Sequence, residues 1–377
     1  MLRLLMAVLC AALASVQALA AGRGSVSIVG SSTLYPFAAV VAERFGRTTE
    51  FRAPIIEATG SGGGFKLFCS GVGARTPDIT NASRRIKRSE FEGCRGNGVT
   101  EILEVPVGYD GIVIANAKSS PGYDLSLRDI YLALAKLVPG EDGRLIPNPH
   151  LTWRDVNPDL PAVAIEILGP PPTSGTRDAF VELALGRGAE TVASLQQLRQ
   201  LPASRADAIA DIVSALGLPG NLYGNLARRK GSAPTGAEVF AAIVYAVRED
   251  GAYIDAGEND NLVVQKLRAN PDAFGILGFS FLDENTDRIQ GASIDGVAPT
   301  YDAIARGSYP ISRPLYVYVK VAHIGRVPGI AEYVAEFVSE RAMGEDGYLP
   351  DRGLVPLDAT AMARVRASVS LLTPMVL

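Results

Sequence analysis

Pro170-Pro171-Pro172-Thr173-Ser174-Gly175-Thr176-Arg177-Asp178 is the stretch whose reading decides the fold. Val163-Ala164-Ile165-Glu166-Ile167-Leu168 before it is apolar and β-branched enough for a buried strand. Ala179 to Leu185 after it has helical spacing and good helix formers. The prolines stiffen the approach, and Thr173 or Ser174 stands where a helix N-cap belongs. A strand, a hydroxyl-rich turn and a helix start together aim unpaired N–H groups and a positive dipole end outward. Thr176 adds a hydroxyl, and Arg177 a fork of donors matched to a tetrahedral oxyanion. Alone, the stretch also fits an ordinary serine-capped helix, so its recurrence carries the weight.

It does recur. Ser25-Val26-Ser27-Ile28-Val29 alternates like a strand and leads into Gly30-Ser31-Ser32-Thr33-Leu34-Tyr35-Pro36, with Pro36 suited to a first helical turn. Phe37, Val40, Val41 and Phe45 then follow at helix spacing. Ile55-Ile56-Glu57-Ala58 reads as a strand, Thr59 to Gly64 as a glycine loop, and Phe65 to Cys69 as the start of a helix. Consecutive glycines let a backbone approach a ligand and turn its N–H groups inward. Asp78 to Arg84 reads as a short strand with a polar end. One such turn is noise; four in one chain predict anion binding.

The 377 residues are 47% hydrophobic and 20% charged, which suits a globular protein of about two domains. A net charge of −4 gives no basic field for nucleic acid or an anionic membrane. An anion must therefore be held by a local site, as a small ligand would be. Residues 1–20 read as a signal peptide: Arg3, an apolar run from Leu4 to Ala14, then Ala18-Leu19-Ala20 as a cleavage site. Without Cys10 two cysteines remain, Cys69 and Cys94, and an exported chain predicts one disulfide between them. Closing that loop of 25 positions stabilises by about 3–4 kcal/mol on the chain-entropy account.

Further along, Glu101 to Val107 and Ile112 to Ala115 read as strands separated by Gly108-Tyr109-Asp110-Gly111. Leu127 to Leu137 reads as helix, and Trp153 as part of a Pro/Asn-rich loop. Thr191 to Val247 is largely helical, interrupted by Gly217 to Gly220 and by a solvated basic loop, Arg228-Arg229-Lys230-Gly231. Ala273 to Phe279 and Pro314 to Lys320 read as strands, Ile330 to Met343 and Asp358 to Leu372 as helices. Alternating strands and helices predict an α/β fold with mainly parallel sheets.

Catalysis finds little support. The histidines are His150 and His323, and no Gly-x-Ser-x-Gly elbow surrounds Ser174. No Ser-x-x-Lys spacing accompanies the turns, Gly169 to Gly175 lacks the Lys of a P-loop, and Phe65 breaks a dinucleotide fingerprint. No His/Cys cluster predicts a metal. Binding without turnover, with no cofactor, is the expectation.

The chain resembles the periplasmic phosphate-binding proteins of bacterial ABC-type phosphate transporters over nearly all of its mature length. Gly30 to Phe37 is similar to the family's opening turn, Thr59 to Lys66 to its glycine loop, and Thr173 to Asp178 to its main anion turn. Trp153 to Pro158 and Ser312-Arg313-Pro314-Leu315-Tyr316 are weaker likenesses. The resemblance implies a two-lobed periplasmic binding protein of type II-like architecture, each lobe a mainly parallel sheet flanked by helices, with two strand hinges. Lobe one would be 22–107 with 321–377 returning to it, and lobe two 108–320; the hinges would lie near Gly108 to Gly111 and within Tyr309 to Lys320. It implies ligand contacts from Thr33, Leu34, Ser61, Ser83, Arg84, Ser174, Gly175, Thr176 and Arg177. The expected partners are inorganic phosphate and an inner-membrane ABC permease, with a monomeric receptor and no nucleic acid. Other oxyanions, such as sulfate, molybdate or a small phosphorylated compound, are the alternative, and a serine-dependent hydrolase using Ser61 or Ser174 a further one. One departure stands out: Arg84 occupies a slot that is acidic in better-known members, and prolines fill the slot of an arginine ahead of the Ser-Gly-Thr turn. The acceptor of the phosphate proton would then be Asp178, or Asp78 or Asp110, or a backbone carbonyl with no acid needed.

Overall fold

A computed structural model describes residues 24–31, 33–172, 174–257 and 260–377. The proposed signal peptide, Ser32 and Thr173 lie outside the described residues. The chain divides into two compact units, one built from the segment ending at Val107 with Leu315–Tyr348 and Leu357–Leu377, the other from Gly108–Pro314 with Leu349–Pro356. The segment Leu349–Pro356 belongs with the second unit, so the C-terminal return to the first begins at Leu315 and is interrupted.

Unit one opens with strand β1 (Ser27–Gly30) and helix α1 (Tyr35–Thr48), whose buried face is Phe37, Ala38, Val41, Ala42 and Phe45. Pro36 sits in its first turn, where its missing N–H costs nothing. Strand β2 (Ile55–Ala58) leads into helix α2 (Gly60–Phe68), and β3 (Ile79–Ala82) is followed by α3 (Arg88–Gly96). The glycine run is thus helix, not a loop ahead of one. Packing explains it: a Cβ on Gly64 would lie 2.5 Å from Thr80 Oγ1 and 2.6 Å from the Gly30 Cα. Only glycine lets α2 rest that close to the strands. Cys69 and Cys94 form the disulfide, joining the end of α2 to α3. Phe65, Phe68, Ile86, Val99, Ile102 and Tyr318 pack around it.

Strand β4 (Ile102–Ala117) runs from the first unit into the second without a break. Two strands were expected there. The pairing of Asp110 and Tyr109 with Leu354 and Val355 carries the ladder across the predicted gap. Gly108 takes φ +144° at a point where a Cβ would lie 2.6 Å from the Val355 carbonyl oxygen.

In unit two, β5 (Ile167–Gly169) lies between β6 (Tyr253–Asp255) and β7 (Phe274–Gly278), parallel to both. Strand β7 is antiparallel to β4, as is β8 (Ile289–Gly291). The strand expected from Val163 is shorter, because Val163 and Ile165 bond back to Trp153 and Leu151 instead. Trp153 is fully buried against Phe274 and starts a short helix, Trp153–Val156, capped by Thr152. Helix α4 (Gly175–Phe180) continues through a π-helical stretch, Val181–Leu185, into Gly186–Ala189. The supposed basic loop is the last turn of helix Leu222–Lys230, ended by Gly231 in the left-handed conformation. Basic side chains there complement the negative dipole end. Strand β9 (Ser312–Lys320) leads back into unit one, where it pairs antiparallel with β3.

Each sheet is therefore mixed: a parallel part (β2, β1, β3 in unit one; β6, β5, β7 in unit two) bounded by antiparallel neighbours. The expected Ile330–Met343 helix is two, Ile330–Phe337 and Glu340–Met343. Among the described residues, no helix is long and apolar enough to cross a membrane.

Candidate functional site

In unit one the carboxyl ends of β1, β2 and β3 lie side by side, with β1 in the centre. The chain leaves β1 for β2 on one side and later enters β3 on the other, so a topological switch point sits at β1. Two turns are laced together there: Ser31 N–H donates to the Asn81 carbonyl at 2.9 Å, and Thr59 N–H to the Gly30 carbonyl at 2.9 Å. Among the described residues, neither α1 nor α2 receives a side-chain cap from its N-cap residue, Leu34 or Thr59. First-turn N–H groups without such caps, at positive dipole ends, favour an anion.

The predicted hydroxyls gather at this place. Ser61, in the first turn of α2, accepts from Ser83 N–H at 3.1 Å, and the two hydroxyl oxygens are 3.3 Å apart. Thr33 is buried in the turn before α1, and Leu34 is fully buried, anchoring that turn in the core. Arg84 is turned to Glu90, which grips its guanidinium with two bonds of 2.8 and 2.7 Å. Burial alone would raise the Glu90 carboxyl; Arg84 and the Lys87 N–H more than reverse this and hold it below its ordinary value.

The predicted anion turn of unit two is built differently. Ser174 is buried and caps α4, its Oγ accepting from Thr176 N–H at 3.2 Å. Gly175 and Thr176 form the first turn. Tyr253 holds the turn from behind: its hydroxyl donates to the Pro170 carbonyl at 2.7 Å, and its ring occupies the space a side chain at Gly169 would need. The Arg177 guanidinium lies 4.1 Å over that ring. Burial pushes the Tyr253 phenol up to about 12, with Arg177 pulling the other way.

One arginine that sequence reasoning quoted without a role stands beside this turn. Arg313 is 8% exposed, its Nη1 donating to Glu182 at 2.7 Å and its Nε to Asp110 at 3.4 Å. Burial raises the Asp110 carboxyl more than Arg313 lowers it. Asp178, though open to solvent, is also raised by the protein around it, against the pull of Arg313 and then of Arg177. Nothing in the local sequence marks Arg313, since its partners are 131 and 203 positions away.

Asp78 is a core residue of unit one: it accepts from Ser27 N–H at 2.8 Å and sits 2.6 Å from His323 Nδ1. His323 Nε2 in turn accepts from Gly73 N–H at 2.9 Å, so that imidazole is engaged on both sides by the fold. Among the described residues, no group of three or more His, Cys, Asp or Glu side chains is placed to hold a metal ion.

The comparisons agree with this architecture. Protein SphX of Synechococcus elongatus is 26% identical over 352 residues, spanning 92% of this chain and 81% of the relative. The phosphate-binding protein PstS of Staphylococcus saprophyticus is 24% identical over 345 residues, 89% of this chain and 81% of its own. Among solved structures, that of a possible phosphate binding protein from Planctomyces limnophilus superposes with a TM-score of 0.65 at 21% identity, covering 94% of this chain and 100% of that one, which establishes the shared fold. A model of the PBP superfamily domain matches residues 15–341, and with most of its length so accounted for, the chain belongs to the PBP superfamily.

Proposed function

We propose that this protein is a receptor for inorganic phosphate that hands its ligand to an inner-membrane ABC permease after export to the periplasm. The observation that carries the reading is the switch point of unit one: two helix starts without side-chain caps and the Ser61–Ser83 hydroxyl pair meet at the ends of parallel strands. The phosphate-binding relative supports it. The ligand set is then Thr33, Leu34, Ser61 and Ser83 with Arg84 bordering it in unit one, and Ser174, Gly175, Thr176 and Arg177 in unit two.

The partners of the candidate nucleophiles support a reading of binding without turnover. Ser61 bonds to Ser83, and Ser174 to the backbone of its own helix, in neither case to a general base. The receptor acts as a monomer.

Calorimetric titration of the mature protein tests the reading. Phosphate is expected to bind at micromolar or tighter Kd, which corresponds to about 8 kcal/mol or more. Sulfate in excess should fail to displace it near pH 7, and phosphomonoesters should not be hydrolysed. Equal displacement by sulfate would instead assign a general oxyanion receptor, and turnover of a phosphomonoester an enzyme.

A further inference from the structure

Three arginines stand near the candidate anion turns, and the structure separates them. Arg84 is matched by Glu90 through two short bonds. Arg177 lies over the Tyr253 ring, with its Nη1 3.5 Å from the Pro170 carbonyl on the strand side of the turn. Arg313 is held among Asp110 and Glu182, and Glu182 belongs to the π-helical stretch that continues α4.

We infer that Arg313, more than Arg177, is the cation that binds the ligand's negative charge at the proposed anion turn of unit two. This rests on the phosphate-receptor reading above and adds to it a residue outside the motif.

Three observations support the assignment. Asp178 is the fourth residue of α4 and Arg177 its direct neighbour, yet Arg313 is the stronger cationic influence on it. Glu182, which Arg313 Nη1 holds at 2.7 Å, stands on the helical run that begins at the turn, so the guanidinium is tied to the same helix. Its position is also set from two elements: Asp110 belongs to β4, and Glu182 to the helix that carries the turn. A planar fork anchored at Nε and Nη1 is pre-organised, which lowers the entropy lost when an oxyanion binds. Finally, burying an arginine among carboxylates seldom adds stability over an apolar cluster. Arg313 is tied to two carboxylates, Asp110 and Glu182. Removing Arg313 would leave those carboxylates without their partner and repelling an arriving anion, the arrangement that selectivity uses.

The test is phosphate titration calorimetry on the mature wild type, Arg313→Gln, Arg313→Lys and Arg177→Gln, with circular dichroism and Tm recorded for each. Arg313→Gln is expected to weaken phosphate binding by a hundredfold or more, on the order of the loss from truncating one partner of a buried charge pair. Arg313→Lys, which keeps the charge and loses the fork, should weaken it about tenfold. Arg177→Gln should weaken binding less than Arg313→Gln does. Should Arg313→Gln fail to fold, natively folded Arg313→Lys decides: a tenfold loss supports the assignment, and wild-type affinity overturns it. A folded Arg313→Gln within threefold of wild type, or an Arg177→Gln that is weaker than Arg313→Gln, overturns it as well. No phosphate binding by the wild type itself would sink the receptor reading, and this inference with it.

Discussion

The two units use the same strand–turn–helix device and support it by opposite means. In unit one the turns are held by backbone contact: α2 rests on Gly30 and Thr80 through Gly64, and among the described residues neither helix is capped by its N-cap side chain. Its nearby charge, Arg84, is neutralised by Glu90. In unit two the turn is held by side chains: Ser174 caps it, Tyr253 braces it, and a buried arginine with carboxylates stands beside it. The difference teaches that a hydroxyl-rich turn at a helix start can draw its rigidity from either source. Bare N–H groups require a close-packed backbone; a charged neighbourhood requires a framework of side chains to keep it in place.

That comparison breaks most forcefully in unit one. Replacing both Cys69 and Cys94 by serine should lower unfolding free energy by about 2–5 kcal/mol, measured by denaturant titration. If the loss falls below 1 kcal/mol, the covalent tie between the end of α2 and α3 is not what secures that turn. Gly64→Ala comes next, at about 1–3 kcal/mol for overpacking against backbone. Gly62, two residues earlier in the same helix, has open space around its Cβ position. Gly62→Ala should therefore be neutral or raise stability by up to about 1 kcal/mol through helix propensity. Equal effects at the two glycines would show that close approach is not the reason for the run.

Unit two should lose less from any single change at its turn. Ser174→Ala removes the N-cap bond and should cost about 1 kcal/mol by thermal or chemical denaturation. A cost above that of Gly64→Ala would reverse the ranking of the two supports. The smallest effect concerns the brace. Tyr253 ordinarily titrates at 10.0 and is raised by burial to about 12. The unfolded chain thus loses this proton first: the stability contribution is complete below 10, then declines as pH rises towards 12. Tyr253→Phe should shallow the fall in stability over that interval without abolishing it, because Tyr309, Tyr318 and Tyr333 are also raised by burial. An unchanged alkaline slope in the variant would show that the ring is not shielded where it holds Pro170.

Much of the site was legible as local chemistry. Ser174 as a cap, Pro36 in a first turn and the paired Cys69 and Cys94 each follow from near neighbours or from the redox compartment. The Gly108 to Gly111 break was misread because glycines mark turns when only local sequence is seen. Leu354 and Val355, which carry the ladder past them, are more than two hundred positions away. The Arg228 to Lys230 run was misread for a related reason: its charge suits solvent equally in a loop and in a last helical turn, and Gly231 decides between them.

The sequence by itself determined where hydroxyls, glycines and helix starts coincide, because capping and turn chemistry act over two to four residues. Only the tertiary structure decided which arginine meets which carboxylate. Arg84, Arg177 and Arg313 carry the same group. Sheet order and the path of β4 and β9 bring Asp110 to Arg313, and the π-helical turn brings Glu182. Charge interactions act through space across such separations, and a linear pattern holds no record of them.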